Sequence, residues 1–193
     1  MNNYKFPDHS INAVNKLVNF GIKTNIHFVL SSESIDLSLK ILRNEDIFDG
    51  KIDLSKLNAI IFLLFKPQGN GTNHKELILS DDGIRQFRNC LKEAKTHFKI
   101  GIDSCLACRI SSVCNDFTDQ EKLFVDTCEG SRMSCYITSD MKFIPCSFED
   151  HEKAIPIQPD FSIKNIWTYS KLFNDFRDKL KANPNQCPVE FKE

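Results

Sequence analysis

The cysteines of this chain are unevenly placed, and their placement limits what the chain can fold into more than any other feature. Of the eight cysteines in 193 residues, none precedes Cys90, and seven lie from Cys105 to Cys187. Thiolates are good ligands for zinc and iron, so a metal centre is the leading explanation for so many cysteines in one region. The distribution therefore predicts two regions with different roles, of which the second binds the metal.

Composition narrows the class of protein. Hydrophobic residues make up 41% and charged residues 26% of the chain, which is typical of a globular protein. The formal charge of −1 gives no reason to expect nucleic acid or an anionic membrane as a partner. The longest apolar run, from Ala59 to Phe65, has the length of a strand, and residues 1–5 show no signal-peptide core. We expect a cytoplasmic protein, in which structural disulfides are rare.

Residues 1–105 alternate between helical and strand patterns. The predicted strands are Thr24–Leu30, Asn58–Phe65 and Phe98–Asp103, each preceded by an amphipathic helical segment. Such alternation predicts an α/β fold with a parallel sheet or barrel. Three strands are too few to close a barrel, so we expect an incomplete parallel (β/α) barrel.

The pattern changes after Cys105. Residues 134–138 and 142–146 are predicted to be two short strands joined by a turn at Ser139-Asp140-Met141. A helix is predicted to begin at Ser170 and to end at Asn183-Pro184. We therefore expect a small cysteine-rich α+β domain over residues 106–193.

Hairpin geometry suggests which cysteines meet. If Asp140-Met141 is the turn, Cys135 lies directly opposite Cys146, with the two side chains roughly 5 Å apart. Cys128 and Cys187 could then approach from flanking loops, and four thiolates suit either a [4Fe–4S] cluster or a tetrahedral zinc ion.

Simple burial is the alternative explanation for a cysteine, since cysteine behaves as a small hydrophobic residue. We favour it for Cys90, which lies in a predicted helix. The pair Cys105-x2-Cys108 has no second such pair and is a weak metal-binding signal, which leaves the roles of Cys108 and Cys114 open.

The order of these elements resembles a known extension. The segment from Cys128 to Ile137, followed by Pro145-Cys146-Ser147-Phe148, resembles the SPASM or shorter Twitch extension of radical-SAM enzymes. That extension has a cysteine, a spacer, a glycine, four residues and a second cysteine. Here twelve residues separate Cys128 from Met141, which stands where glycine is usual, and Cys146 follows after four more. The segment from Ile166 to Phe173 resembles the helix before the last cysteine of the extension, and Cys187 would be that cysteine.

The resemblance implies a domain organisation and a ligand set. Residues 1–105 would be the second half of a radical-SAM-like partial barrel, and residues 106–193 a SPASM/Twitch-like domain binding one auxiliary [4Fe–4S] cluster. Cys128, Cys146 and Cys187 would be ligands. Single-cluster relatives favour Cys105 as the fourth ligand, whereas hairpin geometry favours Cys135, and both alternatives stay open.

The resemblance also implies a function, although the chain differs from radical-SAM enzymes in one respect. The C-x-x-x-C-x-x-C motif of the SAM-binding cluster does not occur in these 193 residues. We therefore expect the C-terminal portion of a truncated or split radical-SAM protein, and the resemblance implies a peptide or protein as the substrate. The chain would use S-adenosylmethionine only when a separate N-terminal half supplies that motif, and we assign no catalytic residue. The alternative is a non-catalytic zinc- or iron–sulfur-binding interaction module.

Overall fold

The structure is a computed structural model that describes residues 8–114, 116–118, 127–159 and 162–189. Residues 1–5, in which we find no signal-peptide core, lie outside these ranges. The chain divides into two compact units, residues 1–106 and 107–193, one residue beyond the boundary that we predicted. No helix in the described ranges is long and apolar enough to cross a membrane.

The first unit alternates helices with strands. In chain order its elements are α1 (Asp8–Asn19), β1 (Asn25–Leu30), α2 (Ile35–Leu42), β2 (Ala59–Leu64), α3 (Asp81–Glu93) and β3 (Lys99–Ile102). Short 3-10 helices occupy Leu54–Lys56, Gly69–Gly71 and Lys75–Leu77. Helix α4 (Ser104–Val113) begins in this unit and continues into the second.

The three strands form a parallel sheet in the order β1-β2-β3. Phe28 of β1 is level with Phe62 of β2, and their rings meet edge-on at 5.5 Å. Phe87 of α3 packs on Phe62 at 5.1 Å, so this face of the sheet is covered and buried. On the other face His27 is exposed and Val29 is 37% exposed. Among the described residues the sheet is open, and its assignment to an incomplete barrel stays a prediction.

The second unit is small and mixed. Its elements after α4 are the antiparallel strands β4 (Tyr136–Ile137), β5 (Lys142–Ile144) and β6 (Ile155–Pro156), a 3-10 helix (His151–Lys153), and the helices α5 (Ile163–Tyr169) and α6 (Lys171–Ala182). Ser170 starts α6 as predicted, since its Oγ accepts a hydrogen bond from the Phe173 backbone N–H. Phe143, Ile166 and Phe173 form a buried core beneath the strands.

The hairpin of β4 and β5 has a different register from the one that we predicted. Tyr136 pairs with Ile144 and Ile137 with Phe143, so Cys135 is one position out of step with Cys146. The loop is longer than two residues, because Thr138 N–H donates to the Lys142 carbonyl at 2.8 Å. Met141 makes this loop possible with a φ of +58°. Since a one-residue shift exchanges the two faces of a strand, the predicted pairing of Cys135 with Cys146 is wrong.

Candidate metal centre

Four cysteines of the second unit belong to one packed group. Cys108 and Cys128 are buried in a core with Phe176, Leu180 and Val189. Cys146 and Cys187 are half-buried and pack against that core, together with Phe148. We call Cys108, Cys128, Cys146 and Cys187 the cysteine cluster. Three of its members are the cysteines that the family resemblance implies as ligands.

A tight turn after Cys128 brings it toward the strand that precedes Cys146. Ser131 is buried with a φ of +60°, and its backbone N–H donates to the carbonyls of Ser134 and Pro145 at 2.9 and 3.2 Å. Gly130 allows this approach, because a Cβ there would lie 2.9 Å from Phe176 Cε1 and 3.2 Å from the Pro145 oxygen. The turn therefore requires glycine at position 130, and it joins the segment after Cys128 to Pro145, the residue before Cys146.

Helix α6 fixes the same turn from the other side. Ser131 Oγ donates to the Phe173 carbonyl at 2.9 Å, and Arg177 Nε donates to the Ser131 carbonyl at 2.8 Å. The same helix supplies Phe176 and Leu180 to the core of the cluster. One amphipathic helix therefore both anchors the turn of Cys128 and provides the apolar wall around the thiols.

Cys146 and Cys187 reach the cluster from β5 and from the C-terminal segment. Phe143 and Ile144 of β5 are fully buried and hold the end of the strand that leads to Cys146. Beyond Cys187, Val189 is buried in the cluster core, and Lys179 Nζ donates to the Pro188 carbonyl at 3.4 Å. The C-terminal segment is thus docked on α6, which places Cys187 against the core.

Cys108 comes from helix α4, whose start is well defined. Asp103 Oδ1 accepts hydrogen bonds from the backbone N–H groups of Leu106 at 2.7 Å and Leu64 at 3.3 Å. Asp103 Oδ2 also lies 3.6 Å from the ammonium nitrogen of Lys66, whose side chain is only 6% exposed. Lys66 is therefore a buried ion-pair partner rather than the solvated lysine that a strand-end position suggests.

The remaining cysteines differ in their surroundings. Cys135 is exposed, and partial desolvation raises the pKa of its thiol, which disfavours the thiolate that binds metals. Cys105 is half-buried and lies in the first unit. Cys114 is buried. Cys90 is half-buried, and its Sγ donates to the Leu39 carbonyl at 3.7 Å, so it has a local structural role in the first unit.

The donors of the cysteine cluster match a cysteine-ligated metal in number and kind. Four thiols suit a [4Fe–4S] cluster or zinc, and the phenylalanine and aliphatic side chains around them exclude water. Within the described ranges, however, no three His, Cys, Asp or Glu side chains are arranged so as to hold a metal ion.

Sequence reasoning did not identify Cys108 as a member of this group. The available signal was Cys105-x2-Cys108, a spacing that places two cysteines about one turn apart when the segment is a helix. Without a second such pair, the spacing alone does not separate a ligand from a buried thiol.

Comparison with known proteins adds no assignment. No family model matches the chain. No curated protein and no solved structure matches it significantly.

Proposed function

We propose that the second unit binds one [4Fe–4S] cluster and that the chain is the C-terminal portion of a radical-SAM-type protein. The observation that carries this proposal is the packing of Cys128, Cys146 and Cys187 on one core. These three residues are distant in sequence and lie at the positions where the SPASM and Twitch extensions have ligands. The resemblance predicts that these three cysteines lie together.

The surroundings of the thiols support an iron–sulfur cluster physically. Thiolates hold the iron atoms of such clusters, and burial and hydrogen bonding around the sulfurs set the reduction potential. Phe176, Leu180 and Val189 make the neighbourhood apolar. A bound auxiliary cluster would supply electron transfer or a binding point for substrate, as in the proteins that the chain resembles. The residues described here would hold and shield it.

The sheet of the first unit supports the proposal that the chain acts together with a partner. Among the described strands, β1 pairs with β2 alone, so it is an edge strand of the described sheet. The open face beside it carries the exposed Val29. A separate N-terminal half carrying C-x-x-x-C-x-x-C would extend this sheet and supply the site for S-adenosylmethionine. A peptide or protein substrate and a cytoplasmic location complete the proposal.

Anaerobic reconstitution tests the cluster. The full chain, incubated with iron and sulfide and then desalted, should be brown with a broad visible absorption that bleaches on reduction. A colourless protein that binds one zinc ion instead would favour a zinc-binding interaction module.

A second assay tests the radical-SAM assignment. The reduced, reconstituted chain should form no 5′-deoxyadenosine from S-adenosylmethionine when it is alone. Formation should begin when an N-terminal half with the three-cysteine motif is added. Turnover by this chain alone would contradict the proposal that a separate N-terminal half supplies the SAM-binding cluster.

A further inference from the structure

We propose that Cys108, on helix α4, is the fourth thiolate ligand of the metal centre. This inference rests on the proposed function and names a residue that neither the hairpin geometry nor the family resemblance selects. It replaces both sequence-based alternatives, Cys105 and Cys135, by a residue of the observed cysteine cluster.

The burial of Cys108 is the first argument. Its side chain is 3% exposed and shares the buried core of the second unit with Cys128, against which Cys146 and Cys187 pack. A [4Fe–4S] cluster held only by cysteine takes four thiolates. Cys108 completes that number within a single unit, so the whole ligand set folds together.

The geometry of α4 is the second argument, because it separates Cys108 from Cys105. Residues three apart in an α-helix differ by about 4.5 Å along the axis and by about 60° around it. The helix cannot exchange one thiol for the other without unwinding, and the Asp103 carboxylate holds its start by accepting from Leu106 N–H. The position that packs in the cluster core is that of Cys108.

The hairpin supplies the third argument, which concerns Cys135. The observed register removes the pairing that would have placed its thiol opposite Cys146. Its side chain is exposed, whereas the cysteine cluster is buried or half-buried.

Binding through Cys108 is an exchange of a proton for iron. The S–H bond of the thiol breaks, an iron–sulfur bond forms, and the proton passes to solvent, as for every cysteine ligand. No oxidation or reduction of the protein accompanies this step.

The test compares substitutions in the full chain after anaerobic reconstitution. Cys108→Ala should lower bound iron to less than half of the wild-type value. Cys108→Ser, which keeps the size of the side chain, should give a weaker cluster with an altered electron paramagnetic resonance spectrum when reduced. Cys105→Ala, one turn earlier on the same helix, and Cys114→Ala, just beyond its end, should both keep wild-type iron and an unchanged spectrum.

A second measurement leaves Cys108 unchanged, so a folding defect of the Cys108 variants cannot affect its result. In protein labelled with ¹³C at the cysteine β-carbons, ligands of a paramagnetic cluster give hyperfine-shifted signals, of which the wild type should show four. Cys105→Ala and Cys135→Ala should each keep all four. A drop to three in either variant, or wild-type iron and spectrum in both Cys108 variants, would overturn the assignment. A wild-type chain that binds no iron would instead refute the proposed function itself.

Discussion

Arg177 donates a hydrogen bond from Nε to the backbone carbonyl of Ser131 at 2.8 Å, and this bond ties helix α6 to the turn that follows Cys128. The same guanidinium donates to the Asn174 side chain at 2.7 Å and to the Trp167 carbonyl, and it lies 5.3 Å from the Trp167 ring centre. The guanidinium of Arg177 thus joins helices α5 and α6 to the turn that follows Cys128.

Arg177→Lys should therefore destabilise the second unit although it preserves the charge. A lysine ammonium cannot reproduce the planar fork of donors, so a partly buried acceptor loses its partner. We expect a loss of about 1–3 kcal/mol in the free energy of unfolding, measured by urea denaturation. The matched control is Arg132→Lys, where the exposed arginine donates to Thr127 Oγ1, and its effect should stay within about 0.5 kcal/mol. Equal effects of the two substitutions would contradict the role given to Arg177.

Met141→Gly should stabilise the hairpin before Cys146. Met141 has a φ of +58° and is 59% exposed, so glycine removes backbone strain and loses little burial. We expect a gain of about 0.5–1 kcal/mol, read from the urea midpoint. Met133→Gly is the control, since Met133 is 80% exposed and is not among the residues with positive φ. That substitution should give no gain, and a gain as large as that of Met141→Gly would exclude strain as the cause.

The carboxyl group of Asp140 should titrate well below its ordinary range. Hydrogen bonds from Lys142 and then Thr138 lower its pKa from 3.8 to about 2. Because the folded pKa lies below the unfolded one, this group stabilises the hairpin fully above about pH 4, and the contribution is lost as the pH falls through about 2. Carbon NMR titration of the metal-free protein should show the low value, and Lys142→Met should raise it. A midpoint near 3.8 in the wild type would contradict the hydrogen-bonded hairpin.

Cys146→Ala should abolish cluster binding, whereas Cys90→Ala should leave it intact. Cys146 packs on the cluster core of the second unit, and Cys90 lies on α3 in the first unit with its thiol on the Leu39 carbonyl. Iron bound after anaerobic reconstitution is the measurement, with circular dichroism to confirm that both variants fold. Wild-type iron in Cys146→Ala would remove this residue from the ligand set.

Local signals in the sequence predicted much of the fold. Ser80 and Ser170 precede amphipathic segments, and both cap the helices that follow by accepting from backbone N–H groups. The apolar segment at 58–65 predicted the central strand of the parallel sheet, observed as Ala59–Leu64. Each of these features depends on a few neighbouring residues, so each can be predicted from a single sequence.

The hairpin register could not be predicted in the same way. Its loop depends on a positive φ at Met141, a conformation for which methionine has no special preference. The sequence therefore favoured a two-residue turn, and the predicted pairing of Cys135 with Cys146 was one position out. Membership of Cys108 in the cysteine cluster is a non-local property as well, since it depends on where helix α4 meets Cys128 and the core residues of α6.

The most direct test of the central claim is the iron, acid-labile sulfide and zinc content of the full chain, purified without oxygen and without reconstitution. If the thiolates of the cysteine cluster hold a [4Fe–4S] cluster, we expect about four iron atoms and about four sulfide ions per fully loaded chain, with little zinc. One zinc per chain with no sulfide would contradict the proposal.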